Sequence, residues 1–263
     1  MTRTTLPPAA GPHLSLAELR AALAPLPGAG WLAEAIRDVA TADRATRAPA
    51  LGHRLATAAR RCGRSPLPTA PGWTADEAAR AVLLGATGLE GAELAEVVAE
   101  AYRAGDAAEK RAVLKALPVL GIGRLGVPLL LDAVRTNDPR LLAAALGPAA
   151  DHLDDAIWRQ SVLKCVFTGV PLTVVHRLDL RADATLAAML TGFAEERRSA
   201  GRPVPADAAV LLERLTRRRD LTHGRDLTHG RDLTHRRDHP ADTAHGPGGD
   251  PRDLPHLPQQ ENR

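Results

Sequence analysis

The sequence predicts an all-α protein, and three observations carry that reading. The 263 residues are 44% hydrophobic but only 2% aromatic, so the core has to be built from Leu, Ala and Val. Ala and Leu lead the helix scale, whereas strands favour β-branched and aromatic residues. Apolar residues also recur at helical spacing, as in Leu94, Val97, Val98 and Ala101, and again in Leu186, Met189, Leu190 and Phe193. Finally, helix-start signals alternate with Pro- and Gly-containing connections along most of the chain.

Taken in order, Ser15 with Glu18 spells a capping box with Leu14 and Leu19 at the staple positions, and predicts a helix over 15–24. Pro25-Leu26-Pro27-Gly28 ends it, and helices over 31–47 and 49–61 follow. Ser65-Pro66-Leu67-Pro68 is a connection, after which Thr74 and Glu77 repeat the box and open 74–85. The Leu94 stripe places a helix over 91–104, and Asp106 with Glu109 starts another over 107–117. Beyond a helix over 128–136, Asp138 followed by Pro139 is an N-cap with proline at the first helical position, opening 139–146. Gly147-Pro148 leads to a helix over 152–168, whose N-terminal dipole Asp154 and Asp155 complement. Helices over 171–177, 185–199 (capped by Asp183) and 206–216 complete the series.

Antiparallel helices joined by short turns build a bundle or a helical array, and residues 107–168 resemble HEAT-type pairing. The expected architecture over 13–216 is therefore a multi-helix α-solenoid, a HEAT-like helical array. Residues 1–12, with Pro7, Pro8 and Pro12, read as a flexible N-terminus. After Thr216 the character changes. Arg-Asp-Leu-Thr-His-Gly at 219–224 recurs at 225–230 and, ending in Arg, at 231–236. One Leu per six residues buries too little apolar surface to offset the ordering entropy, so 217–263 reads as a disordered tail.

Several functions are excluded at this level. The formal charge is +3, with no basic stripe interleaved with aromatics, so no nucleic-acid footprint is visible. Cys62 and Cys165 stand far apart in apolar helical contexts, as free thiols do in a reducing compartment. The N-terminus has no apolar signal region. The most apolar stretch, 117–134, is interrupted by Pro118, Arg124, Pro128 and Asp132, too often to span a bilayer. A cytoplasmic protein that does not cross a membrane is the expectation.

Chemistry-bearing motifs are few. Gly121-Ile-Gly-Arg-Leu-Gly126 fits the dinucleotide fingerprint by letter, but a capped helix precedes it where the fingerprint needs a strand. It reads as a glycine-rich helix–helix connection. Six of the ten histidines fall in the tail: His223, His229, His235, His239, His245 and His256. Repeated imidazoles on a flexible chain bind metals weakly without a built site, so no metal or cofactor is assigned. With no GxSxG and only sequence-adjacent carboxylates (Asp154-Asp155, Glu195-Glu196), no catalytic residue is assigned either.

The segment 158–202 stands apart. Gln160, Lys164 and Thr168 form an i, i+4, i+8 stripe on one helix, and Lys164 is one of three lysines beside 31 arginines. A Lys kept in such a chain points to a need for a compact ammonium, not merely a positive charge. Asp179 and Arg181 follow, and then Glu196 and Arg202. These residues, Lys164, Gln160, Asp179, Arg181, Glu196 and Arg202, either tie helix ends together or bind a small anionic metabolite.

The run Trp158-Arg-Gln-Ser-Val-Leu-Lys-Cys-Val-Phe-Thr-Gly-Val-Pro-Leu172, with Leu178-Asp-Leu-Arg-Ala182 and Glu196-Arg-Arg-Ser-Ala-Gly-Arg202, resembles the EboA family. Arg60 with Gly63-Arg64-Ser65-Pro66-Leu67 agrees, as do Trp73 with Asp76, Glu77 and Arg80, and Tyr102 with Gly105-Asp106 before Glu109-Lys-Arg111. The resemblance spans about 50–205. Arg198 stands where the family pattern has a tryptophan, and Asp138-Pro139-Arg140 where it has Asn-Pro-aromatic. The resemblance implies an accessory protein of a bacterial secondary-metabolite cluster that moves a precursor toward the envelope. It would be a non-enzymatic adaptor for co-encoded enzymes, a UbiA-like membrane prenyltransferase among them. The alternative is a carrier or enzyme acting on an anionic metabolite around Lys164, Asp179 and Arg181.

Overall fold

The computed structural model describes residues 14–43 and 45–229, with side chains as far as Arg218. The described residues contain twelve α-helices and no strand, only an isolated bridge between Pro66 and Thr74. The chain divides into two units, Met1–Arg219 and Asp220–Arg263. Of the second unit, 220–229 are described, and their backbone is helical. Helix was not expected beyond residue 216; the rest of the tail, including His235 and the histidines after it, lies outside the described residues, as does the N-terminus before Leu14.

In the first unit α1 (Leu16–Leu23), α2 (Ala29–Thr41) and α3 (Arg47–Cys62) pack with α4 (Ala75–Gly85). Every α4 residue from Ala75 to Leu84 is buried, and α1, α2, α3 and α6 (Ala107–Leu120) all touch it. Ala at four of those positions lets the neighbouring helices approach one axis. A solenoid confines contacts to sequence neighbours; a hub helix contacting α1 and α6 departs from that pattern. The second half is more sequential. Here α5 (Gly91–Ala104) packs on α6, α7 (Val127–Arg135) on α8 (Pro139–Ala145), α8 on α9 (Asp155–Thr168), and α9 on α11 (Ala184–Ser199). The short α10 (Leu178–Arg181) and α12 (Ala206–His229) complete the order.

The capping signals hold at atomic level. Glu18 N–H donates to Ser15 Oγ at 3.2 Å while Glu18 accepts from Ser15 N–H at 2.6 Å. Asp106 accepts from the Ala108 and Glu109 N–H groups, Asp138 from Arg140, Asp154 from Ile157 and Asp183 from Leu186. Among the boundaries that differ from the expectation, three have a clear local reason. The helix expected over 31–47 stops at Thr41, because Asp43 accepts from both the N–H and the hydroxyl of Thr46 at 2.8 Å and starts α3. The helix expected to end at 117 runs through Pro118 to Leu120, since a proline in the last turn forfeits one bond only, and Gly121 closes it in the left-handed region. The helix expected over 171–177 is a 3-10 turn, Leu172–Val174; Arg177, at φ +52°, then redirects the chain into α10.

Candidate functional site

A groove of about 1050 Å³ opens in the first unit, at the upper end of the range for small-molecule sites. Its walls are mostly apolar. Helix α6 supplies Leu114 and Pro118, α8 supplies Ala143 and Ala144, and the turn after α9 supplies Val170 and Pro171. That turn is held in place because the α12 carboxylate of Asp207 accepts from Leu172 N–H at 3.0 Å. Among the described residues, the polar lining includes three cationic side chains, Arg111, Lys115 and Arg140, and no carboxylate.

One end of the groove is built on the loop before α4. Leu67 N–H donates to Trp73 O and Ala75 N–H to Ser65 O, pinning a compact loop whose turn at Gly72 (φ +84°) needs a glycine. This presents Trp73 to the groove. Lys115 Nζ sits 4.7 Å from the centre of the Trp73 ring, donates to Gly72 O at 2.6 Å and is paired with Glu77. Burial lowers the Lys115 ammonium from the ordinary lysine value, against the opposing pull of Glu77.

Behind this wall lies a buried ionic cluster. Glu77, Asp76 and Arg80 on α4 are 2%, 4% and 3% exposed. Glu77 accepts from Thr74 N–H at 3.1 Å and pairs with Arg111 Nε at 3.1 Å besides Lys115. Arg80 donates to Asp76 at 2.7 Å and to Leu55 O at 3.1 Å, with Glu109 at 4.0 Å. Burial alone would raise the Asp76 carboxyl; the Thr74 hydroxyl and Arg80 outweigh it and hold it below the ordinary aspartate range. Neither Asp76, Glu77 nor Arg80 lines the groove, whereas Arg111 and Lys115 do. The two carboxylates and Arg80 therefore lie behind the wall, and Arg111 and Lys115 form part of it.

The residues singled out in the sequence lie elsewhere, and none of the six lines this groove. Lys164 Nζ donates to Val134 O at 2.8 Å and Thr136 O at 2.6 Å, at the C-terminal end of α7. A compact ammonium reaching two helix-end carbonyls is the job for which Lys suits better than Arg. Arg181 stacks 4.7 Å from the fully buried Trp158 ring and donates to Ala150 O, Leu153 O and Asp155. Asp179 is paired with Arg214 on α12. Gln160, Glu196 and Arg202 are exposed. The structure thus brings together Asp179 and Arg181 on α10 but commits each to a different neighbour, and Lys164 to a third. The Lys164 motif still contributes to the groove, through Gly169, Val170 and Pro171 further along the same run.

The groove residues were overlooked as a site although a signal was present. Lys115 is another of the three lysines, so the argument applied to Lys164 selects it equally. Asp76 and Arg80 stand at i and i+4 on a helix whose other residues are apolar or alanine apart from Glu77, which places charge on a face with nowhere to go but the core.

The Gly121–Gly126 segment is the helix connection expected of it: α6 precedes it, Gly121 and Gly123 have positive φ, and a 3-10 turn follows. Cys62 and Cys165 are free, and burial pushes their thiols up to about 11 and about 12. Among the described residues no group of His, Cys, Asp and Glu is arranged to hold a metal, and no helix is long and apolar enough to cross a membrane.

Fold and site together define an all-helical protein organised around a ligand-sized apolar groove with a cationic lining. Residues 53–213 match the family model described as metabolite traffic protein EboA, and the chain belongs to the EboA family. No curated protein and no protein of solved structure matches the chain.

Proposed function

We propose that the protein is a non-enzymatic accessory of metabolite traffic that holds its cargo in the α6–α8 groove. The observation that carries this reading is the groove itself: about 1050 Å³, walled by Leu, Pro, Ala and Val from three elements, with a few polar groups at its margin. Binding sites for small molecules have this composition. The family's description as metabolite traffic points the same way. Within a secondary-metabolite cluster, such a carrier would pass its cargo between co-encoded enzymes, a UbiA-like membrane prenyltransferase being one candidate, from the cytoplasmic side. The carrier role expected around Lys164, Asp179 and Arg181 moves to the groove, since those side chains are engaged with backbone carbonyls and neighbouring side chains.

The test uses Ala143→Trp, which fills the groove from α8, a helix position where an indole is tolerated by the backbone. Protein purified from its own host is examined by native mass spectrometry for bound small molecules and partner proteins. A small molecule retained by the wild type and lost from the variant supports the carrier. A partner enzyme captured equally by both, with no small molecule on either, overturns it in favour of a pure adaptor.

A further inference from the structure

Resting on the groove reading, we infer that the cargo is an amphiphile whose anionic group, a carboxylate or phosphate, is taken by Arg111 with help from Arg140. The first reason is the distribution of charge. Among the described residues the three ionisable side chains lining the groove are all cations, and the carboxylates paired with them, Glu77 and Asp138, are not part of the lining. An anion entering the groove meets donors, whereas a cation would meet Arg111, Lys115 and Arg140 with no lining carboxylate to receive it.

The second reason is the unspent hydrogen-bonding capacity of two of those cations. Lys115 is fully occupied: Glu77, the Gly72 carbonyl and the Trp73 ring face take its ammonium from three sides. Its role is to position Trp73 and to screen Glu77. Arg111 differs. Its side chain is 39% exposed, and its ion pair with Glu77 is closest at Nε, 3.1 Å. Its terminal nitrogens make no hydrogen bond among the described residues. Arg140, which also lines the groove, uses Nε and Nη2 on Asp138, leaving Nη1 without a hydrogen bond among the described residues. A guanidinium ion-paired near Nε, with the hydrogen-bonding capacity of its terminal nitrogens unspent, is suited to take a carboxylate or phosphate through paired hydrogen bonds.

The third reason concerns Glu77. A carboxylate 2% exposed and shared by two cations fixes the stem of Arg111 instead of letting it swing into solvent. Binding then loses less side-chain entropy than at a free surface arginine. The apolar remainder of the cargo lies along Leu114, Pro118 and Val170, with the Trp73 indole beside the head group.

The experiment compares two fluorescent probes that share their ring systems: 8-anilinonaphthalene-1-sulfonate, which carries an anion, and N-phenyl-1-naphthylamine, which does not. Each is titrated into the full-length wild type, Arg111→Gln, Ala143→Trp and Lys164→Met. The expected result is that Arg111→Gln weakens the sulfonate about tenfold and leaves the neutral probe within about twofold. Added salt should weaken the sulfonate alone, Ala143→Trp should weaken both probes, and Lys164→Met neither. Arg111→Gln leaving the sulfonate unchanged, or weakening both probes alike, while Ala143→Trp still displaces both, overturns the anion site and leaves the groove standing. Ala143→Trp changing neither probe, or neither probe binding the wild type, overturns the groove and the anion site together.

Discussion

Lys164→Met separates a structural lysine from a ligand-binding one. An α-helix leaves its last carbonyls without intrahelical partners, and at the end of α7 the carbonyls of Val134 and Thr136 are met by the Lys164 ammonium at 2.8 and 2.6 Å. Methionine keeps most of the stem and its packing beside Val162 and Cys165 but removes both donors and the charge. Hydrogen bonds to a charged group contribute about 1.5–3 kcal/mol each, and a cation at a helix C-terminus about 0.3–1 kcal/mol more. The site is only partly buried, so water recovers part of this. The expected net loss is about 2–4 kcal/mol. For a domain of this size that corresponds to a fall in Tm of roughly 5–12 °C.

Urea unfolding followed by circular dichroism measures it: the midpoint should drop with the slope m unchanged. Lys164→Arg should recover only part, because a planar fork does not reproduce the convergence of two carbonyls on one nitrogen. A loss below about 0.5 kcal/mol would refute the reasoning, since two satisfied charged bonds cannot be worth so little unless solvent replaces them freely.

Arg181→Lys should cost about 2–3 kcal/mol in the same assay, because a lysine cannot serve Ala150 O, Leu153 O and Asp155 while stacking on Trp158; a neutral result would mean the stack contributes nothing. Asp76 has a folded pKa below its unfolded value, so its contribution is present above about pH 3.9 and is lost as pH falls through the folded value. The slope of unfolding free energy with pH in that acid window should flatten in Asp76→Asn, and an unchanged slope would remove Asp76 from the account. The same variant should lose about 3–5 kcal/mol at pH 7, where it strands buried Arg80. With thiols pushed up to about 12 and about 11 by burial, Cys165 should resist Ellman's reagent at pH 8 until the protein unfolds and Cys62 should react slowly. Native-state labelling of Cys165 at a free-thiol rate would contradict its burial.

Most helices and many of their boundaries were legible because their signals are local. A capping box such as Ser15–Glu18 is complete within four residues, and the atoms meet as the letters say. Where boundaries moved, a second local rule had won: Asp43 claiming Thr46, or Arg177 adopting φ +52°. Long-range pairing was not legible. Nothing in the run around Lys164 names Val134 and Thr136, about thirty residues earlier, as its acceptors. The rarity of lysine did mark both positions that need a compact ammonium, Lys164 and Lys115, but the setting of each decides what it does. One ends a helix, and the other braces a tryptophan at the edge of a groove.

That difference also bears on why α4 carries Asp76, Glu77 and Arg80 in its buried face at all. Buried ion pairs are a poor source of stability, and apolar replacements of equal volume often fold as well or better. The hub of this fold already has Ala and Leu on every other side, so stability alone would favour more of the same. What apolar residues could not do is fix cations at a wall. Glu77 holds Lys115 under Trp73 and is ion-paired with Arg111, and Asp76 anchors Arg80, which in turn donates to the Leu55 carbonyl of α3. The cluster ties α3, α4 and α6 to one electrostatic arrangement, with Asp76, Glu77 and Arg80 buried and Arg111 part-exposed at the groove. On the proposed anion site, its cost in desolvation is the cost of a preorganised binding edge, which is why the decisive readout for Arg111 is the gap between a charged and a neutral probe and not the melting temperature.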